Sequence, residues 1–180
     1  PDGKTAYVTS EVANMVHRVN LDSHEIDANI VVGNRPRRFA LSEDGHTLWV
    51  TNELSGSVSL IDTQTNKVSD TIEFKPQGFR PEDVTPVGIK LSEDGQHAFV
   101  TLGRANHVAF VNAKTHDVED YVLVGDRAWG IAQSRDGKQL YVTNGLSDDM
   151  SIVDIGQHKT LRSIPAGRVP HSVVIDTVAE

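Results

Sequence analysis

Ten residues recur four times along this chain of 180. They read PDGKTAYVTS from Pro1, EDGHTLWVTN from Glu43, EDGQHAFVTL from Glu93 and RDGKQLYVTN from Arg135. The glycines fall at 3, 45, 95 and 137, so the intervals are 42, 50 and 42 residues. A repeat of this period is one supersecondary unit copied in tandem, and each copy needs its neighbours to bury its apolar faces. Few other sequence features restrict a fold as tightly.

Each unit reads as short strands. Asp-Gly makes a tight turn, with Gly supplying a left-handed backbone. Asp2, Asp44, Asp94 and Asp136 are therefore expected to be turn formers rather than catalytic acids. An aromatic and a valine follow at fixed positions: Tyr7-Val8, Trp49-Val50, Phe99-Val100 and Tyr141-Val142. These residue types favour strands. A second strand (SVSLID, HVAFVN, MSIVDI) and a third (KVSDTIEF, DVEDYVLV) come next, and RRFALS, VGIKLS and WGIAQS precede the Asp-Gly turns. No stretch has helical periodicity. Twenty-one residues after each glycine stand His24, Asn66, His116 and His158. Asn and His tolerate positive φ, so a tight turn accounts for three of the eight histidines. No histidine shows ligand spacing, and no metal site is expected.

Four antiparallel strands in about 42 residues, without a helix, describe a propeller blade. The fold expected is all-β: a β-propeller of four-stranded antiparallel blades in one domain spanning 1–180. The blades fall at about 5–32, 37–74, 86–124 and 128–164, with 171–176 completing the first by pairing with 5–10, either of the same chain or of a neighbour. The next Asp-Gly would stand at 178–179, where the sequence reads Val-Ala. Four blades make a tight ring. The chain thus reads as part of a seven- or eight-bladed ring lacking blades at its N-terminal side. A four-bladed ring, or two chains completing one ring, are the alternatives.

Composition narrows the function. The net charge is −8 and no basic cluster occurs, which argues against nucleic acid. No apolar run approaches a membrane span. Cysteine is absent, which removes disulfides, thiolate catalysis and covalent haem attachment. No catalytic residue is assigned, and no phosphate-binding loop precedes a helix.

Binding groups are expected on the face where loops lead into the innermost strands: GNRPRR (33–38), DVTPVG (83–88), GDRAWG (125–130) and GRVPHS (167–172). One slot in these loops varies in chemistry while its frame stays constant: Arg37, Val87, Trp129 and His171. The candidate site is Arg37, Arg127, Trp129 and His171, with Asn52 and Asn144 nearby. Arginine suits an anionic group, Trp an apolar platform and His a titrating group. The partner expected is a protein or a small anionic or aromatic ligand. The other reading is that Trp129 plugs the channel and the arginines are solvated. The 50-residue interval carries an eight-residue insertion within EFKPQGFRPEDVTP, expected to project from the same face or to be mere decoration.

The motifs YVTN (141–144), WVTN (49–52), SVSLIDTQTNKV (57–68) and GNRPRRFALSEDG (33–45) resemble the YVTN-type β-propeller repeat over nearly the whole chain. The stretch GFRPEDVTPVGIKLSEDG (78–95) resembles propeller proteins associated with PQQ-dependent alcohol catabolism, within the quinoprotein amine dehydrogenase-like superfamily. The resemblance implies an exported, periplasmic or secreted protein. It implies a non-enzymatic binding or scaffold propeller in periplasmic oxidative metabolism. A cofactor-bearing or catalytic subunit of a quinoprotein or haem-type oxidoreductase, or a cell-surface adhesion protein, are the alternatives. PQQ or haem enters only by that association, and no cofactor is expected in this chain itself.

Overall fold

A computed structural model describes residues 2–176. Its strands are β1 (Thr5–Ser10), β2 (Met15–Asn20), β3 (Glu25–Val31), β4 (Pro36–Leu41), β5 (Thr47–Asn52), β6 (Ser57–Asp62), β7 (Lys67–Glu73), β8 (Ile89–Leu91), β9 (His97–Thr101), β10 (His107–Asn112), β11 (Val118–Leu123), β12 (Ala128–Gln133), β13 (Gln139–Asn144), β14 (Asp149–Asp154) and β15 (Lys159–Pro165). They form antiparallel meanders: β1-β2-β3, β4-β5-β6-β7, β8-β9-β10-β11 and β12-β13-β14-β15. These are propeller blades, numbered 1 to 4 in chain order.

The turns follow from the repeat. Gly3, Gly45, Gly95 and Gly137 all have φ near +70°. In blades 2 to 4 a serine hydroxyl (Ser42, Ser92, Ser134) donates to the turn aspartate at 2.6 Å. The same carboxylates accept backbone N–H groups two residues on. These bonds hold Asp44, Asp94 and Asp136 below the usual carboxylate range, the serine hydroxyl being the first cause. The second turn residues His24, Asn66, His116 and His158 also adopt positive φ, as their spacing predicts.

Alternation along the second strand feeds both faces of a blade. Leu48 and Val50 of β5 pack toward blade 1 with Val16 and Ile30. Trp49, between them, faces blade 3 with Ala98, Val100, Ala109 and Val111. Phe99 of β9 turns the other way, toward Leu140, Val142 and Val153 of blade 4. Blade 3 is therefore packed on both faces.

In blades 2 and 3 the threonine after the valine ties blade to blade. Thr51 Oγ1 donates to the Val87 carbonyl at 2.9 Å, and Thr101 Oγ1 to the Trp129 carbonyl at 2.9 Å. Thr101 also accepts the Gly88 N–H at 2.7 Å. Gly88 sits so close that a Cβ there would lie 2.2 Å from the Trp129 carbonyl oxygen. At the outer rim, His116 Nδ1 donates to Asp70 of blade 2 at 2.5 Å and His158 Nδ1 to Asp120 of blade 3 at 3.0 Å.

Two expectations differ from the structure. Residues 171–176 form no strand, and β1 pairs only with β2 among the described residues. The segment instead runs beside blade 4: Gly130 approaches Ser172 and the His171 carbonyl, and Arg135 donates to the Asp176 carbonyl. It thus lies beyond β12, while β1 is at the other end of the arc, against β4. The Asp-Gly position at 178–179 falls outside the described residues. The insertion, moreover, folds back rather than simply projecting. Lys75 N–H donates to the Tyr121 hydroxyl, Val84 joins the core between blades 2 and 3, and Pro81–Asp83 form one 3₁₀ turn. The stretch 77–82, with Phe79 edge-on to His107, stays at the surface.

Candidate functional site

The loops leading into the inner strands share one face with the loops that follow the second strands. Each of three lead-in loops turns through a left-handed residue: Arg35 (φ 56°), Arg127 (φ 60°) and Val169 (φ 50°). Asn14, Asn106 and Asp148 of the preceding blade each accept that residue's N–H, at 2.9, 2.8 and 2.8 Å. A β-branched residue in this region is strained, so Asp148 holds Val169 where it would not otherwise rest. The clasp fixes the direction of the next two residues. In the fourth loop Thr85 takes over and accepts the Arg104 N–H at 2.8 Å.

Near the axis the inner strands surround a cavity of about 310 Å³ whose walls include Arg38, Gly88, Gly130 and Ser172. At its mouth three of the expected residues meet. The Trp129 and His171 rings stand edge to face, 4.7 Å between centroids. The Arg127 guanidinium lies 5.2 Å from the Trp129 ring centre, a cation–π distance. Gly145 makes room for the indole, since a Cβ there would lie 3.3 Å from it. Across the axis, Arg38 Nη2 is 3.4 Å from His171 Nδ1. Among the described residues neither Arg38 nor Arg127 has an acidic partner.

Arg37 is placed differently. It pairs with Glu11 and, at 3.4 Å, with Glu53. Arg35 joins the same two carboxylates at 3.1 and 3.4 Å. Arg35, ahead of other causes, pulls the Glu11 carboxyl below its ordinary range. This network staples blade 1 to blade 2. Asn52 and Asn144 are fully buried. Asn52 donates to Ser57 and Ser59, and Asn144 to Asp149 and Ser151. They support the lead-in loops from beneath and do not reach the mouth.

Sequence reasoning missed Arg38, Glu11 and Glu53. The signal lay in the repeat itself. Arg38 occupies the slot of Gly88 and Gly130, and Glu11 and Glu53 that of Gly103 and Gly145. A charged residue where sister units carry glycine marks a departure from the frame.

Among the described residues no three His, Asp or Glu side chains converge as metal ligands. A haem does not suit the mouth either. A metal-bound histidine normally gives its second nitrogen to an acceptor, but His171 Nδ1 faces a guanidinium.

Comparison with known proteins agrees with the fold. The chain is similar to the hydrazine synthase of Kuenenia stuttgartiensis, with 25% identity and a TM-score of 0.78, covering 95% of this chain and 47% of that one. It is similar to the periplasmic gluconolactonase PpgL of Pseudomonas aeruginosa, with 25% identity and a TM-score of 0.81, covering 95% and 53%. It shares its fold with the virginiamycin B lyase of Staphylococcus aureus, at 16% identity and a TM-score of 0.76, covering 93% and 55%. The chain spans about half the length of these structures. No curated protein matches it in sequence. Residues 88–179 match the YNCE-like beta-propeller model, and the chain belongs to that family.

Proposed function

We propose that the chain is a non-enzymatic binding propeller whose axial mouth receives an anionic, flat group from a protein partner or a small ligand. One observation carries this reading. In a chain of net charge −8, two guanidinium groups without acidic partners, Arg38 and Arg127, flank the Trp129–His171 ring pair. Guanidinium forks suit carboxylates, and the indole offers an apolar platform. The same set would suit the carboxylates and flat rings of PQQ. The resemblance to PQQ-linked propellers and the periplasmic location of one solved relative support a place in periplasmic oxidative metabolism.

Phenylacetate, titrated against Trp129 fluorescence in a Trp49→Phe background, tests the reading. Saturable quenching is expected. It should weaken with added salt and fall at least about tenfold on Arg38→Gln, equivalent to about 1.4 kcal/mol. If neither phenylacetate nor an acidic peptide saturates, the mouth is not an anion site.

A second reading is a catalytic or cofactor-bearing subunit, favoured by the enzymes among the solved relatives. A visible chromophore in protein isolated from its native source, or turnover with an artificial electron acceptor, would establish that reading instead.

A further inference from the structure

The seam between blades 2 and 3 differs from the seam between blades 3 and 4 at two equivalent positions. At the later seam the buried Gln133, ending β12, fills the space beneath the Asp-Gly turns. The Glu93 N–H donates to Gln133 Oε1 at 3.2 Å, and Gln133 Nε2 donates to the Gly137 carbonyl at 3.3 Å. Ile155 packs into the adjoining core. At the earlier seam, the 42-residue interval puts Leu91 in the place of Gln133 and Ala113 in the place of Ile155. A carboxamide and three side-chain carbons are gone.

A cavity of about 560 Å³ stands there instead, between residues 39–44 and 89–95, with Trp49, Ala113 and His116 along its wall. That volume lies in the range of small-molecule sites. The backbone groups that Gln133 satisfies have counterparts in its lining: the Glu43 N–H and the Gly95 carbonyl. Neither group has a hydrogen-bond partner among the described residues. The cavity thus presents one donor and one acceptor at the repeat positions equivalent to those that the molecule's own carboxamide bridges one blade further on.

We propose that this cavity binds a small primary carboxamide carried on a flat apolar body, the amide taking the position that Gln133 holds in the next seam. The amide oxygen accepts from Glu43 N–H and the amide nitrogen donates to the Gly95 carbonyl. The apolar body rests against Leu91, Ala113 and Trp49. A carboxylate of the same shape lacks the N–H that Gly95 needs, and it meets Glu43, Asp44 and Glu93 at the rim, offset by Lys90 and by His116, whose imidazole is already bonded to Asp70. The site opens at the Asp-Gly end of the blades; it shares Phe39 and Ile89 with the axial cavity but is lined by none of Arg38, Arg127, Trp129 and His171, and is independent of the function proposed there.

Benzamide is the probe, titrated into the 180-residue protein and followed by amide and indole NMR shifts. Saturable shifts are expected at Glu43, Gly95 and the Trp49 indole. Benzoate should bind at least about tenfold more weakly. Leu91→Gln supplies the missing carboxamide and Ala113→Ile the missing bulk, so each should weaken benzamide at least about tenfold. No saturable shift at those three positions, shifts that map to Trp129 instead, benzoate binding as tightly, or undiminished affinity in either folded variant would each overturn the proposal. If neither variant folds, the wild-type shift map and the benzoate comparison decide it.

Discussion

Val100 and Val8 hold the same place in their repeats, yet Val100 is 0% exposed and Val8 49%. Their local sequences are nearly alike: AFVT and AYVT. The difference is the neighbour. Val100 packs against blade 2, whereas no described residue covers the face on which Val8 lies. Blade 3 is enclosed by two sheets and blade 1 by one. In this fold a strand's own residues specify a pleated, two-faced ribbon. Burial, and with it most of the stability, comes from the sheet alongside.

The largest difference is expected at the aromatics of the second strand. Trp49 is 2% exposed and faces blade 3. Trp49→Ala should cost about 3–5 kcal/mol. Tyr141 occupies the same repeat position on blade 4 but lies outside the buried clusters, so Tyr141→Ala should cost about 1 kcal/mol. Urea melts of both variants check the pair. Equal losses would show that the strand, not the seam, sets the energy.

Gly88→Ala is the next largest effect. The added methyl must displace the Trp129 carbonyl that Thr101 binds, and overpacking of this kind costs about 1–3 kcal/mol. Because that carbonyl belongs to the mouth, phenylacetate binding should weaken along with the melting midpoint. Gly3→Ala meets nothing within 4 Å and should leave the mouth unchanged.

The two valines should differ in the same direction by less. Val100→Ala removes two buried carbons and should cost about 1.5–2.5 kcal/mol. Val8→Ala should stay within about 0.5 kcal/mol.

Acid should act gradually and on many turns at once. Asp44, Asp94 and Asp136 titrate below 3.8 in the folded protein because serine hydroxyls bond their carboxylates. Asp70 does so chiefly through His116. The unfolded chain therefore binds more protons in that range. The stability these groups contribute is fully present above about pH 4–5 and is lost as pH falls below 3.8 through the folded values. Denaturant midpoints should fall between pH 5 and pH 3, and less steeply in Asp70→Asn.

The frame was legible because it repeats. Strand starts at Thr5, Thr47, His97 and Gln139, the left-handed turns and the burial of Trp49 all follow from positions that recur. The mouth was half legible. Trp129 and His171 stand out in a variable slot, and they meet. Asn52 and Asn144 belong to the frame, and their polar side chains suggested a ligand where the structure uses them as buried supports. Arg37 and Arg38 are adjacent in sequence. They flank a bulge in β4, where the pairing register shifts between Pro36 and Phe39, and one meets Glu53 while the other reaches across the axis. The same shift recurs between Ala128 and Ile131 in β12, so the bulge belongs to the frame, but residue type alone does not tell which of two neighbouring arginines meets a carboxylate. The course of 171–176 differs from the pairing with 5–10 of the same chain that the repeat suggests: a repeat fixes what a strand resembles, not which sheet lies within reach.

Native-state hydrogen exchange, read strand by strand in the 180-residue protein, measures whether neighbouring blades supply the stability, because local opening reports how each sheet is held. The strands β9 and β10, enclosed on both faces, should exchange slowest and by global unfolding, while β1 and β2 exchange at least about tenfold faster through local opening. Uniform protection across the four sheets, or slowest exchange in blade 1, would contradict the account that neighbouring blades supply the stability.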